Sequence, residues 1–405
     1  MKIAKENFIN EHFYEKPFLK QQKMTDIQSQ IENTLPTYKK PSNIKDEKTK
    51  DEEINKIQNE NEKPIEDKNE DQTDKLLNIS YVKEIFSENN TKFLENFEFI
   101  ESIKAGSAGA VLKARYRNKK NPEKIVACKI IPKKIKNKSE KNLAKAHKEV
   151  LIHRRFHHKN IPEIYGYHPV GDNYSCMVME FNRYGDLDTF KRNVIKRSCL
   201  TESLICYLAG GILDALFYLN KKKTIHMDIK QQNILIDDFL NIKLTDYSVS
   251  VDYSKEQNYI ELPMVGTCYY MSPEVLERKK IPINEASKID IYSFGVLLYL
   301  LAFNDYPYEL DKINCDDYRG IYNNIKQKNI VFPKDTGHSE IFKNFLKKCL
   351  NKDIKQRYNI YQAINDPWMK GYQLIVNEKE NLYNAGKFMI ELLVDNIKPF
   401  NDYIK

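Results

Sequence analysis

The sequence predicts an α+β chain in two lobes, a small strand-rich one followed by a larger, mainly helical one. Three observations carry this. Between Phe97 and Phe181, apolar residues fall in short runs broken by glycine and charge, as in strands. Beyond Thr201 the apolar spacing lengthens to that of helices, and Asp290–Leu301 is apolar nearly all round, as a buried helix is. Before Phe93 neither pattern dominates, because lysine, glutamate, aspartate, asparagine and glutamine fill the chain.

That first stretch sets the organisation. Residues 1–90 carry 15 Lys+Arg against 19 Asp+Glu, a net of −4, while the other 315 carry 50 against 38, a net of +12. The basic surplus therefore belongs to the two lobes. No block of it is interleaved with aromatics as a nucleic-acid groove requires, so no nucleic-acid partner is expected. Dense charge with little apolar surface predicts disorder over 1–92, clearest from Lys45 to Asp74. An aromatic cluster in it (Phe8, Phe13, Tyr14, Phe18) is either a docking motif for a partner or a chance grouping. The expected divisions are a charged extension over 1–92, a first lobe over 93–181, a second over 182–369 and a helical extension over 370–405. Seven scattered cysteines without metal-ligand spacing fit a reducing compartment. No continuous apolar run reaches the roughly 18 residues of a membrane span, and the N-terminus carries no signal-peptide pattern. The expectation is an intracellular, cytoplasmic monomer.

In chain order, Phe97, Phe99, Glu101 and Ile103 stand two apart, as one face of a strand would. Lys104 to Val111 (KAGSAGAV) follows, a hairpin whose tip is stripped of side chains. Its bare N–H groups could approach phosphate oxygens, although an ordinary glycine hairpin reads the same way. The run Ile125–Ile131 buries Lys129 among apolar neighbours, which costs free energy unless the lysine is paired. Glu149, in an expected helix from Ser139 (as N-cap) to Phe156, is the candidate partner. Tyr174–Phe181 reads as a buried strand ending at a hinge. Helices are expected over Thr201–Leu219 and Ile341–Leu350 as well.

The chemistry concentrates in His226–Asn233 (HMDIKQQN), which places Asp228, Lys230 and Asn233 on one short loop. A carboxylate, an ammonium and an amide oxygen are a base, a cation and a Mg²⁺ ligand, the groups phosphoryl transfer needs. A solvated turn could hold the same residues. Asp246, delivered by the apolar run Ile242–Leu244, follows Asn233 by thirteen residues, so a short hairpin could bring both to one cation.

Taken together and in this order, these segments resemble a eukaryotic protein kinase catalytic domain of the serine/threonine type, over roughly residues 97 to 369. Gly106, Gly109 and Val111 resemble the nucleotide-covering loop, and VACK ending at Lys129 the strand lysine with Glu149 as its helix partner. HMDIKQQN resembles the catalytic loop and Asp246 the metal-binding aspartate. Met271–Glu274 (MSPE) resembles the end of the activation segment, with Arg357 as the partner of Glu274. Asp290–Gly295 resembles the helix whose aspartate anchors the catalytic loop.

The resemblance implies a bilobal protein kinase fold: a small antiparallel β-sheet lobe with one main helix, and a larger helical lobe. It implies ATP and Mg²⁺ as cofactors and proteins with Ser/Thr acceptors as substrates. Asp228, Lys230, Lys129 and Glu149 would be catalytic, with Asn233 and Asp246 on the metal. Lys104, Ala105, Gly106, Gly109, Val111, Ala127, Lys129, Met179, Glu180, Asn182, Asp186 and Leu235 would line the nucleotide. Glu180 and Asn182 would offer backbone hydrogen bonds, and Asp186 is either a ribose contact or a helix start. Lys230 and Gly266-Thr267 favour serine/threonine acceptors; the loop is also similar to that of Wee-type tyrosine-directed kinases.

The chain departs from the family pattern at Lys104 (a glycine is usual), Met227 (arginine) and Tyr247-Ser248 (Phe-Gly). His153, four past Glu149, stands where an aliphatic residue is usual. Without that arginine and with Tyr259 as the sole hydroxyl between Lys255 and Gly266, activity independent of activation-loop phosphorylation is expected. The same departures motivate a rival reading, a pseudokinase scaffold that binds nucleotide without transferring phosphate. The amphipathic run Leu382–Ile397 would pack back on the domain or bind a partner.

Overall fold

In the structure, a computed structural model describing residues 76–106, 109–117, 124–133, 148–195, 199–334 and 336–384, helices are already present before Phe93. All of these residues belong to one unit, residues 67–405. The expectations for residues 1–75 with their aromatic cluster, for the Ser139 cap and for nearly all of the Leu382–Ile397 run lie outside the described residues.

The boundary expected at 92/93 needs correction. Helix α1 (Ile79–Asn89) starts at Asn78, whose side chain accepts the N–H groups of Ser80 and Tyr81. It buries Val82, Ile85 and Phe86 at helical spacing. Asn90 closes α1 with its N–H and caps α2 (Thr91–Asn96) with its side chain. Charge density hid this pair; what orders it is tertiary, since Leu76, Val82, Ile85, Phe86 and Phe93 pack with Phe99, Leu112, Cys128 and Val178 of the sheet behind it.

That sheet is antiparallel and five-stranded, in the order β1 (Phe97–Gly106), β2 (Gly109–Tyr116), β3 (Ile125–Pro132), β5 (Tyr174–Glu180) and β4 (Ile164–Val170). Its two faces have different work. One lies under α1 and α2; the other carries Ala127, Ile131, Met177 and Met179, which pack with Val150 of helix α3, described over residues 148–153. The even alternation expected along β1 fails. Register shifts between Phe99 and Glu101 and between Ser102 and Lys104 break the period, and Ile103 is left 45% exposed. At the β1–β2 tip Gly109 has φ +121, and a Cβ there would stand 2.0 Å from the Ile130 carbonyl oxygen, so the position requires glycine.

The second lobe begins with the short α4 (Leu187–Phe190) and is built on α5 (Glu202–Lys221), capped by Thr201. Strands β6 (Thr224–Ile225), β7 (Ile234–Ile236), β8 (Ile242–Leu244) and β9 (Val251–Asp252) form two-stranded pairs, β6 with β9 and β7 with β8. Strand β10 (Tyr259–Glu261) precedes α6 (Pro273–Leu276) and pairs with β11 (Lys280–Pro282). Then come α7 (Ser287–Phe303), α8 (Tyr318–Gln327), α9 (Glu340–Cys349), α10 (Ile360–Ile364) and α11 (Lys370–Asn384). Helix α11 returns onto α5, and Gly210 lets the Tyr372 ring sit against that helix.

By length and composition α5 and Ile283–Phe303 could each cross a bilayer, although neither is an unbroken apolar run. In the fold 83% and 89% of these stretches are buried within the protein, so they are core helices.

Candidate active site

Lys129 emerges from β3 and Glu149 from α3, and they meet: the Lys129 Nζ lies 2.7 and 2.8 Å from the two carboxylate oxygens. Burial pulls the ammonium down, but Glu149 and then Asp246 outweigh it and hold Lys129 above its ordinary value. Asp246 is the converse case. Burial pushes its carboxyl up, yet Lys129 and the Ser248 N–H leave it below its ordinary value. Its backbone is in the left-handed region, φ +67, uncommon outside glycine. The β7–β8 hairpin brings the two backbones together: the Thr245 N–H donates to the Asn233 carbonyl at 3.0 Å, one residue short of Asp246.

The catalytic-loop sequence lies between β6 and β7 and is held from below. The buried Asp290 carboxylate accepts the His226 N–H at 2.7 Å and the Met227 N–H at 2.9 Å. Met227 has φ +71, a conformation this clamp sustains. The Asp228 carboxylate collects four donors. Oδ1 accepts the Thr267 N–H (2.9 Å) and hydroxyl (2.8 Å). Oδ2 meets Lys230 Nζ (2.7 Å) and Asn233 Nδ2 (2.9 Å). Lys230 also donates to the Thr267 hydroxyl at 2.8 Å. Thr267, expected only as a marker of acceptor type, is thus part of the site. Gly266 before it is the available signal: φ is +104, and a Cβ would stand 2.4 Å from the Met227 carbonyl oxygen.

Beneath the loop, Tyr247 is fully buried, and its hydroxyl donates to the Leu244 carbonyl at 2.9 Å. Its ring contacts His153 (4.8 Å), Phe156 (5.0 Å) and His226 (5.1 Å). His153 finds a partner in the Pro162 carbonyl, 2.7 Å from Nε2, and burial drives its pKa down to about 4.

The expected nucleotide contacts divide. Val111, Ala127 and Met179 stand on the sheet face that carries Lys129. Of Ala105 and Gly106 the structure describes the backbone, paired with Ala110 and Gly109. Glu180 offers less than expected, because its N–H already donates to the Glu163 carbonyl (2.8 Å) and its side chain turns to Lys243 (2.6 Å). Its carbonyl takes the Asn182 side-chain N–H at 3.3 Å. Asp186 is a helix start: Oδ1 caps α4 through the Thr189 N–H, and Oδ2 lies 3.1 Å from Lys104 Nζ. Leu235 bridges to Asp186 from β7.

The donor set fits a Mg²⁺ ion. Asn233 uses its amide nitrogen on Asp228, which leaves the oxygen for a cation, and Asp246 has a second carboxylate oxygen beyond the one that accepts Ser248. Among the described residues no three His, Cys, Asp or Glu side chains cluster. One Asp and one Asn suit an ion that keeps waters and phosphate oxygens as its other ligands.

The family model for the protein kinase domain matches residues 97–369, about two thirds of the chain. The chain is 27% identical to the MAP kinase kinase MKK1/SSP32 of Saccharomyces cerevisiae over 335 residues, covering 78% of this chain and 61% of that protein. It is 31% identical to the serine/threonine-protein kinase dst2 of Dictyostelium discoideum over 278 residues, 68% of this chain and 23% of the relative. To the human serine/threonine-protein kinase tousled-like 1 it is 27% identical over 330 residues, 76% and 42%. The match therefore spans between about a quarter and three fifths of these relatives' lengths.

Proposed function

The chain belongs to the protein kinase domain family, and on that premise we propose that it transfers the γ-phosphoryl group of ATP to serine and threonine hydroxyls of proteins. The observation that carries the proposal is the Asp228 cluster, with Lys230 and Thr267 both bonded to the candidate base. A carboxylate has about four lone-pair positions, and four donors already engage Asp228. An acceptor hydroxyl gains a place only when one donor leaves. Lys230, a cation on a flexible stem, is the donor that leaves, drawn to the phosphoryl oxygens, and its departure frees Asp228 to orient the hydroxyl and take its proton. Lys129, fixed by Glu149, holds phosphate oxygens in place. Mg²⁺, held by Asn233 and Asp246, would neutralise charge on those oxygens.

The test compares wild type with Asp228→Ala in Mg²⁺, labelled ATP and generic protein acceptors. Transfer to Ser/Thr by wild type, reduced by roughly 10²- to 10⁴-fold in the variant, is expected for loss of a positioned base. ATP binding with no transfer by wild type would leave the pseudokinase scaffold, and transfer to tyrosine alone would favour Wee-type kinship.

We further propose that activity does not need activation-loop phosphorylation. Met227 packs in an apolar cluster with Tyr253, Ile260, Leu262, Met271, Ile281 and Ile289. The segment is also tied by the β10–β11 pairing, so its shape rests on burial and main-chain bonds rather than on a phosphate. Full activity of phosphatase-treated protein is the expected result; activity regained only after phosphorylation of Tyr259 would refute it. The tight seat of Tyr247 supports a weak response to inhibitors that need this segment flipped, checked by their binding constants.

A further inference from the structure

Lys104 stands where the loop pattern has glycine, and its place in the sheet gives it a direction. The register pairs Lys104 of β1 with Val111 of β2, Val111 with Lys129 of β3, and Lys129 with Met177 of β5. Residues directly opposite across neighbouring strands point to the same face. Lys104 therefore shares a row and a face with Lys129, two strand spacings away, or about 10 Å. Its ammonium does not point freely into water. It lies 3.1 Å from Asp186 Oδ2, at the start of α4 in the other lobe, with the side chains 56% and 11% exposed. Asp186 is bridged to Leu235, two residues past Asn233. The ion pair thus joins β1 of the first lobe to the start of α4 in the second, across the cleft.

We propose that Lys104 is a second phosphate-directed cation of the nucleotide cleft, held on Asp186 while the cleft is empty and transferred to the polyphosphate when a nucleotide enters. The inference rests on the kinase reading of the cleft. A polyphosphate compensates Lys104 for leaving Asp186, whereas a nucleoside without phosphate cannot. The residue is then specificity-determining: it sharpens discrimination between nucleotides and nucleosides, and Asp186 keeps the ammonium from being lost to solvent.

The experiment measures binding of MgATP and of adenosine to the full chain by calorimetry, in wild type, Lys104→Met and Lys104→Arg, at low and at roughly 0.5 M salt, where exposed charges are screened. Lys104→Met should weaken MgATP about fivefold at low salt, the upper size of a partly exposed charge contact. It should leave adenosine unchanged or tighter. Lys104→Arg should retain the wild-type ratio, and high salt should shrink the difference. Equal weakening of both ligands would make Lys104 a structural strut and overturn the proposal. No change in either, or tighter binding of both, would also overturn it. If wild type binds neither ligand, the kinase reading fails first and this inference with it. Thermal unfolding of each variant separates these outcomes from loss of fold, and the salt titration of wild type gives a reading that needs no variant.

Discussion

In the cleft, Lys129 and Glu149 meet at 2.7–2.8 Å with side chains 13% and 3% exposed, and Asp228 is ringed by donors. Against the activation segment, Met227, the loop residue before Asp228, lies among Ile260, Leu262, Met271 and Ile281. An ion pair there, Lys280 with Glu261, is on the outside, where such pairs contribute little. Polar contacts hold the first region; apolar burial holds the second, with one buried ion pair, Glu274 with Arg357, at its far end, although the two share the backbone from Met227 to Asp228. Charged pairs can be exchanged for substrate charge, as a transfer site requires. Apolar burial cannot be exchanged for a phosphate, so it suits a segment that keeps one shape.

The sharpest break of this contrast is Lys129→Met. It removes the cation proposed to hold phosphate and leaves Glu149 buried without its partner. Activity should fall by about 10²-fold or more, and stability by ~3–5 kcal/mol, as for a halved buried pair; kinase assays and chemical denaturation check both. Met227→Arg tests the other side. An arginine would put a charge into the apolar cluster, and a cost of about 3 kcal/mol is expected. That cost should fall on the segment, so limited proteolysis within residues 250–283 should speed up before global unfolding shifts.

A smaller effect tests His153, which packs against Tyr247. Its pKa in the fold, about 4, lies below its ordinary 6.5, because burial disfavours the charged ring. As pH falls the unfolded chain takes this proton first, so the stability is present above pH 6.5 and is lost as pH drops toward 4. Between pH 7 and 5 the loss should be about 2 kcal/mol, and His153→Leu should flatten that dependence in urea denaturation. The smallest effect is Tyr259→Phe: the side chain is exposed, and both activity and stability should stay within about 0.5 kcal/mol of wild type.

Much of the site could be read from the sequence because its residues sit on short, fixed spacings. The loop from His226 to Asn233 and the run to Asp246 are covalently close, and only one hairpin was needed to join them. Lys129 and Glu149 lie twenty residues apart, but an apolar strand cannot keep a lysine without a carboxylate, and that physical demand named the partner. Three features were less legible. The α1–α2 pair lies at the end of a charged tract, and its order comes from the sheet it covers. The irregular register of β1, which exposes Ile103, depends on where β2 makes its bonds. The Thr267 bonds to Asp228 depend on a chain reversal through Gly266 that no local pattern measures.

The α1–α2 pair also separates two kinds of boundary. The family-model match begins at Phe97, while the first lobe is sealed by residues reaching back to Leu76. A polypeptide cut at Phe97 would uncover the greasy outer side of the β-sheet, a surface prone to self-association. It should precipitate or oligomerise where one starting before Leu76 stays dispersed, a difference light scattering would register. In this chain the lid on the small lobe is supplied from outside the residues that the kinase family model matches.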